Sequence, residues 1–377
     1  MIRVGITGQS GFIGSHLYNT LGLYPGEFER ITFNDDFFHE DAALRKFVKQ
    51  CDVVIHLSAV NRHSYPKVLY DTNLRLVKML IDAMNAEKVA PYVIFASSIQ
   101  EDRDNAFGKS KREGRLMLEK WAIDNGASFT GLIIPNVYGP FAKPFNNSFI
   151  ATFSYQLTHG IVPSLQKDCE VKLIYINALC DLVIQKIRVK ARKNIHLISC
   201  YEVSWDFHQK VSDILSVLHQ YKELYFIQGI IPKLYDKNDF NLFNTFRSYI
   251  DYSTYFPVKL DQYPDMIGML IETSYIGIGG QIQLFTTHVG ATRGNIYHTR
   301  TLKRITVIKG NAILRMRKVG TTKIIEYELN GNNSSYIDIP IWYVHNITNN
   351  GDDLLCAQSW KNELYPSENE DTYYEQV

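Results

Sequence analysis

The 377-residue chain is 45% hydrophobic and 21% charged, ordinary values that leave room for two hydrophobic cores. Forty Lys and Arg balance 39 Asp and Glu to a formal net charge of +1, so no broad field gathers nucleic acid or an anionic membrane; an anionic ligand has to be a small molecule held by local geometry. The five cysteines, Cys51, Cys169, Cys180, Cys200 and Cys356, lack CxxC spacing and read as reduced thiols, and neither a leader-like N-terminus nor an apolar run of ~18 residues is found, so a cytoplasmic protein is expected.

The first half alternates short apolar runs with segments of helical period. Strands are predicted at Arg3–Thr7, Arg30–Asn34, Asp52–Leu57, Tyr92–Ser97, Thr130–Ile134 and Ile195–Ile198, with helices over Phe12–Leu21, Ala42–Val48, Leu74–Ala86 and Lys109–Ala122. Strands that are apolar throughout imply a parallel sheet covered on both faces, hence an α/β domain. Trp205–Tyr221 and Asn238–Tyr249 read as helices of a connector or small lobe. Beyond Phe256 the pattern changes to short β-rich segments bounded by Gly, Asn and Asp: Ile282–Thr287, Ile305–Ile308, Ala312–Lys318, Thr322–Tyr327, Tyr336–Ile339 and Leu354–Trp360. That spacing predicts an antiparallel sandwich or jelly roll. Two domains result, residues 1–255 and 256–377, and the acidic tail after Ser367 is expected to lie on the surface.

Thr7-Gly8-Gln9-Ser10-Gly11-Phe12-Ile13-Gly14 follows the first strand directly and opens a helix. There the chain must turn sharply, present N–H groups to a pyrophosphate and pack helix on strand, three demands that glycine meets without a clashing Cβ. His56-Leu57-Ser58-Ala59, Ser97-Ser98 and Asn136-Val137-Tyr138-Gly139-Pro140 follow in order. On these motifs the first ~250 residues resemble the extended short-chain dehydrogenase/reductases that act on nucleotide sugars, built on a doubly wound Rossmann sheet. Val60-Asn61-Arg62, Ser98-Ile99-Gln100 and the stretch from Lys143 to Phe153 are similar to the bifunctional reductases of bacterial capsule and O-antigen synthesis, which handle UDP-2-acetamido-2,6-dideoxy-hexos-4-ulose and carry a C-terminal cupin.

The resemblance implies that Thr7, Gly8, Gly11, Phe12, Ile13, Gly14, Asp35, Leu57, Ala59 and Lys111 hold NAD(H) or NADP(H), and that Arg62, Ser98, Asn136 and Asn147 meet a UDP-sugar. Asp35 stands ~20 residues beyond the glycine loop, where an acidic side chain accepts from a ribose 2′-OH and repels a 2′-phosphate, so NAD(H) is the physical expectation unless Arg30 or Arg62 folds inward. In the family a Ser, a Tyr and a Lys four residues later form the catalytic unit. Ser98 and Lys111 match it, whereas Phe107 occupies the Tyr position and has no proton to give. Another donor such as Ser98, Lys111 or a water, an engineered substitution of the Tyr, or a chain that binds without turning over, are the alternatives; Tyr138 belongs to a structural loop.

The C-terminal half resembles the two cupin motifs of the same reductases in Gly290–His298 and Pro340–Asn346. Ile296 and Lys303 stand where the resemblance calls for a His and a carboxylate, leaving only His298, a catalytic candidate, and His345. No metal is expected, because three protein ligands are the usual minimum for a catalytic zinc. The reading is an NAD(P)H-dependent 4-ketoreductase of a UDP-2-acetamido-2,6-dideoxy-hexose, with or without C3 epimerisation, expected to be a homo-oligomer. Its alternative is an impaired member that binds dinucleotide or sugar nucleotide as a partner protein.

Overall fold

The computed structural model describes residues 1–377 apart from 166, 194, 195, 278, 334 and 364–370. In chain order the first half runs β1 (Ile2–Thr7), α1 (Phe12–Leu21), β2 (Phe28–Ile31), α2 (Asp41–Gln50), β3 (Val53–His56), α3 (Pro66–Glu87), β4 (Tyr92–Ser98), α4 (Ala106–Asp124), β5 (Phe129–Ile134), β6 (Asn136–Tyr138), α5 (Phe149–Thr158), β7 (Glu170–Tyr175), α6 (Ile176–Lys193), β8 (Ile198–Glu202), β9 (Phe207–Lys210) and α7 (Val211–Tyr221). Among the described residues six strands form one parallel sheet in the order β2-β1-β3-β4-β5-β8. All four residues of β3 and the first six of β4 are buried, the mark of strands covered on both faces. Val54, Val93 and Phe95 pack there against Val77, Leu80 and Met84 of α3 and Leu118 and Trp121 of α4.

Three sequence expectations are corrected in this half. The second strand ends at Ile31 rather than Asn34, because the Asn34 side chain accepts from Asp36 N and caps a short 3-10 turn over Asp35–Phe38. The strand expected from Ile195 starts at Ile198; Ile195 itself lies outside the described residues. The helix expected from Trp205 begins only at Val211, since Phe207–Lys210 pairs with β7 in a small separate sheet with β6. Asp206 anchors that strand: its carboxylate accepts from Tyr175 N at 2.6 Å and its own N–H donates to Leu173 O at 2.8 Å.

The chain divides into two compact units, Met1–Leu218 with Asp236–Ile250, and His219–Tyr235 with Asp251–Val377. The remaining elements are β10 (Ile230–Ile231), α8 (Lys237–Arg247), α9 (Tyr252–Tyr255), β11 (Gln262–Pro264), β12 (Gly268–Ile276), β13 (Gly280–Thr287), β14 (Thr292–Tyr297), β15 (Lys303–Lys309), β16 (Asn311–Lys318), β17 (Ile324–Asn330), β18 (Tyr336–Ile339), β19 (Tyr343–Asn349), β20 (Leu355–Lys361) and β21 (Tyr373–Tyr374). The second unit holds two sheets, one in the order β10-β12-β13-β20-β15-β18 with β11 on β12, the other in the order β17-β16-β19-β14-β21. Phe285, Ile305, Val307, Leu314, Ile347, Leu355 and Ala357 make its apolar core, the inward half of period-2 strands.

β12, β14 and β19 escape the sequence reading; β14 is broken by a bulge after Gly294, whose φ of +117° favours glycine. The described tail lies largely at the surface as expected, with Tyr373 and Tyr374 exposed, and departs from that expectation at Asp371. Glu368 to Glu370 lie outside the described residues, but Asp371 is buried and Tyr373–Tyr374 adds to β14 as an edge strand. Donors that lie elsewhere in the chain draw this one carboxylate inward from an otherwise surface-lying tail.

Candidate active site

The sheet order reverses between β1 and β3, and open α/β sheets bind ligands outside the carboxyl ends of strands at such a switch point. The glycine loop sits there. Gly8 turns the chain at φ +70° and its carbonyl accepts from Gly11 N at 3.0 Å. A Cβ on Gly14 would lie 2.1 Å from Gly8 O, so loop and helix touch only because that position is bare. Gly11 caps α1 without any side-chain hydrogen bond, leaving the amides of Phe12, Ile13 and Gly14 to meet an anion. Thr7 stitches the neighbouring strand ends together, its hydroxyl 2.7 Å from His56 Nδ1 and 3.4 Å from Ser58 N, while Leu57 N donates to Thr7 O. Burial, then the charge of Lys111, pushes His56 down to about 3, so it stays neutral. Asp35 accepts from Ser10 Oγ at 2.9 Å and thus stands beside the loop, whereas Arg30 is folded away onto the Tyr18 ring and carbonyl. These uncapped amides and bare glycines fit a dinucleotide.

Next to this cradle, at the ends of β3 and β4, lies an open cleft of about 640 Å³ whose walls include Asn61, Arg62, Gln100, Asn105 and Phe107. Ser98 ends β4 and accepts from Gln100 N, capping the turn Ile99–Asp102. Asn105 caps α4 through Gly108 N at 2.8 Å. A Cβ on Gly108 would come within 1.9 Å of Gln100 O, so the bare glycine lets α4 seat its first turn, and with it Phe107, against the cleft. One turn on, the Lys111 amine is buried 5.8 Å from the centre of the Phe107 ring and donates to Ala96 O at 2.9 Å. Burial lowers it to about 8 against the opposing pull of Glu101.

The structure thus brings Arg62 and Phe107 to one cleft and places Lys111 beneath the Phe107 ring. Asn136 and Asn147 are not among the residues lining that cleft: Asn136 is exposed and donates to Lys172 O, and Asn147 lies exposed in the loop before α5. The Tyr138 ring is buried against Tyr175 and Phe207. The sequence reading overlooked Asn73. Its buried amide accepts from Val60 N, donates to Val60 O and to Ser110 Oγ, and so ties the loop that carries Ala59 and Arg62 to α4. A polar residue on the buried face of an otherwise apolar helix was the available signal. Glu101, buried and held by Arg115 and Ser97, fixes the same corner.

In the second unit His298 and His345 are both buried, their ring centres 6.1 Å apart. His298 Nδ1 donates to the Asp371 carbonyl and His345 Nδ1 faces Tyr343 O at 3.5 Å. Since a carbonyl only accepts, the His298 Nδ1 carries the hydrogen and its Nε2 keeps a lone pair. Among the described residues neither Nε2 has a hydrogen-bond partner. Ile296 pairs across from His345, and Lys303 pairs across from Lys361. Among the described residues no three His, Cys, Asp or Glu side chains gather as a metal-binding group.

Comparison with known proteins agrees with both halves. Residues 4–189 match the NAD dependent epimerase/dehydratase family, and residues 263–373 match the polysaccharide biosynthesis C-terminal domain. A UDP-2-acetamido-2,6-beta-L-arabino-hexul-4-ose reductase of Pseudomonas aeruginosa is 28% identical over 380 residues, covering 99% of this chain and 98% of that protein. The crystal structure of the capsular polysaccharide assembling protein CapF from Staphylococcus aureus superposes with a TM-score of 0.82 at 26% identity over the whole of both chains. The first unit's fold recurs in RMD from Pseudomonas aeruginosa, solved with NADPH, at a TM-score of 0.55 and 17% identity over 66% of this chain and 98% of that one. The chain therefore joins a nicotinamide-dinucleotide domain of the NAD dependent epimerase/dehydratase family to a polysaccharide biosynthesis C-terminal domain of cupin-like fold.

Proposed function

We propose that this chain is a sugar-nucleotide oxidoreductase that reduces the 4-keto group of a UDP-linked 2-acetamido-2,6-dideoxy-hexulose, with NADH favoured over NADPH. The observation that carries the reading is the cleft itself: Arg62 and Phe107 in its walls, a buried amine under the ring, and the uncapped amides of α1 at the neighbouring strand end. Hydride comes from the nicotinamide when it is bound. Arg62, exposed at the cleft, is placed to meet a phosphate, and the Ser98 hydroxyl at the end of β4 is available to the carbonyl oxygen. The proton that a phenol would supply has to come from elsewhere. Lys111, one ionisable group beneath the Phe107 ring, fits that role: its ammonium, lowered to about 8 by burial, gives up a proton to the oxygen directly or through Ser98.

Phe107 favours a second reading, a protein that binds dinucleotide and sugar nucleotide without turnover. Loss of NADH absorbance with the 4-ketosugar nucleotide separates the two. Slow turnover is expected in the native chain, and Phe107→Tyr, which adds one hydroxyl to a ring already accommodated, should raise it by ~10²–10⁴, the worth of a positioned general acid. No turnover in either protein, with dinucleotide binding intact, would leave the binding reading in place.

A further inference from the structure

The corner where β4 runs into α4 holds a carboxylate that the reductase reading leaves without a role. Glu101 sits in the turn Ile99–Asp102 after β4 and is buried. An unpaired charge there would be strongly destabilising, and the chain supplies a full set of partners. Arg115 Nε donates to the two carboxylate oxygens at 2.9 and 3.2 Å, Arg115 Nη2 adds a bond of 2.9 Å, and the Ser97 hydroxyl donates as well. Room for this guanidinium comes from a strand position without a side chain. A Cβ on Gly131, in the middle of β5, would come within 2.6 Å of Arg115 Cδ, so the arginine crosses the sheet where the strand is bare. Lys111 meets the same corner. It lies four residues before Arg115 on α4, so the two share one helix face. Lys111 Nζ donates to Ala96 O at 2.9 Å, and the next residue, Ser97, carries the hydroxyl that is bonded to Glu101. Two hydrogen bonds and one peptide unit therefore separate the buried amine from the buried carboxylate.

We propose that Glu101 is a positioning residue, a fixed buried anion that holds the neighbouring Lys111 amine as an ammonium. Arg115 and Ser97 keep the carboxylate in place and ionised, and Glu101 itself touches neither dinucleotide nor sugar. Burial drives the amine toward its neutral form, and the carboxylate opposes that drive. Other ionisable groups at the corner do not take over this task. His56, on β3, is neutral; Cys200, on β8, is a thiol raised by burial; Glu119, one turn beyond Arg115, is bonded to Arg115 Nη1 at 3.4 Å. The use of the ammonium as proton donor in the reduction rests on the function proposed above; its charge state does not.

The test is Glu101→Gln in the full chain, which keeps the shape and one acceptor oxygen and removes the charge. Lysine 13Cε NMR, with the Lys111 signal assigned by its absence in Lys111→Met, follows the ammonium directly and needs no turnover. In Glu101→Gln the midpoint of that signal should fall by about one pH unit, the low end of what an opposite charge nearby contributes. Glu101→Asp, which keeps the charge, should stay near the native midpoint. Should the single Gln variant fail to bind NADH as a check of its fold, Glu101→Gln with Arg115→Gln removes the pair as a couple and carries the same expectation. In NADH oxidation with the 4-ketosugar nucleotide the protonated amine is the donor. The rate of Glu101→Gln should therefore fall off earlier on the alkaline side, by roughly tenfold at a pH above both midpoints. A Lys111 midpoint that does not move in the Gln variants, or that moves as far in Glu101→Asp, would overturn the proposal. A midpoint that moves while neither native chain nor variant oxidises NADH supports it and counts against the reductase reading alone.

Discussion

A phenyl ring above a buried lysine is an odd couple in a cleft proposed to be catalytic, and its oddity lies in one missing oxygen. Phe107 keeps the shape of the site while Lys111 keeps the charge. The amine is spoken for by Ala96 O, so the helix turn that carries both residues holds its geometry without the phenol. At the cradle the decisive residue is Asp35. It is exposed, fixed by Ser10, and unopposed by Arg30, which lies on Tyr18. Replacing Asp35 by Arg should exchange repulsion of a 2′-phosphate for attraction and move the preference toward NADPH by about 10–100-fold, the size of a partly screened charge contact. Calorimetric titration with both dinucleotides measures it; an unchanged ratio would mean that Asp35 does not face the ribose.

At the scale of elements, the edge strand at Tyr373–Tyr374 matters more than its two residues suggest. Just before it, Asp371 accepts from Thr299 N, Thr301 N and Arg300 N at 2.8–2.9 Å and from the Thr299 and Thr301 hydroxyls at 2.6 and 2.9 Å. Burial alone would raise this carboxyl, but those hydrogen bonds, led by Thr299, outweigh it and hold the group well below the ordinary carboxylate range. The same residue's carbonyl fixes the His298 tautomer. Asp371→Ala should strip several buried donors of their partner and cost about 3 kcal/mol in denaturant unfolding of the C-terminal unit. An unchanged midpoint would show that the tail is not latched to the sandwich. Because the stabilising form is the anion, the latch is intact above the ordinary carboxylate range and is lost as pH falls through the lowered value of the folded protein.

At the scale of the whole molecule, each unit holds an amine whose value desolvation depresses, the buried Lys111 to about 8 and the part-buried Lys303 to about 7. A base that ionises less readily when folded makes the unfolded chain the better proton binder between the folded value and about 10.5, so stability from that group rises with pH over that window. Lys361, Arg293, His298 and His345 surround Lys303 electrostatically and none of them reverses the sign. Lys303→Met should therefore be more stable than the native chain at pH 7, by an advantage that narrows toward pH 10. Thermal midpoints of the two proteins measured across that range give the comparison, and a constant difference would place the Lys303 amine in water.

Much of this was legible without coordinates, for a physical reason in each case. Strands buried on both faces, as at Val53–His56 and Tyr92–Ser97, betray themselves as continuous apolar runs, and a phosphate loop cannot be built without Gly8, Gly11 and Gly14. The grouping of Ser98 and Lys111 with Phe107 came from the family resemblance, and the fold sets Phe107 and Lys111 one helix turn apart on α4 with Ser98 at the end of β4. What stayed hidden depends on residues far apart in the chain. Asn73 reaches across to Val60, Gly108 is shaped by the Gln100 carbonyl, Asp206 pulls Phe207–Lys210 out of a helix and into a sheet, and Asp371 finds its donors about 70 residues away. Local propensity is fixed by neighbours in sequence, whereas the satisfaction of a buried polar group is fixed by neighbours in space, and only the folded chain decides those.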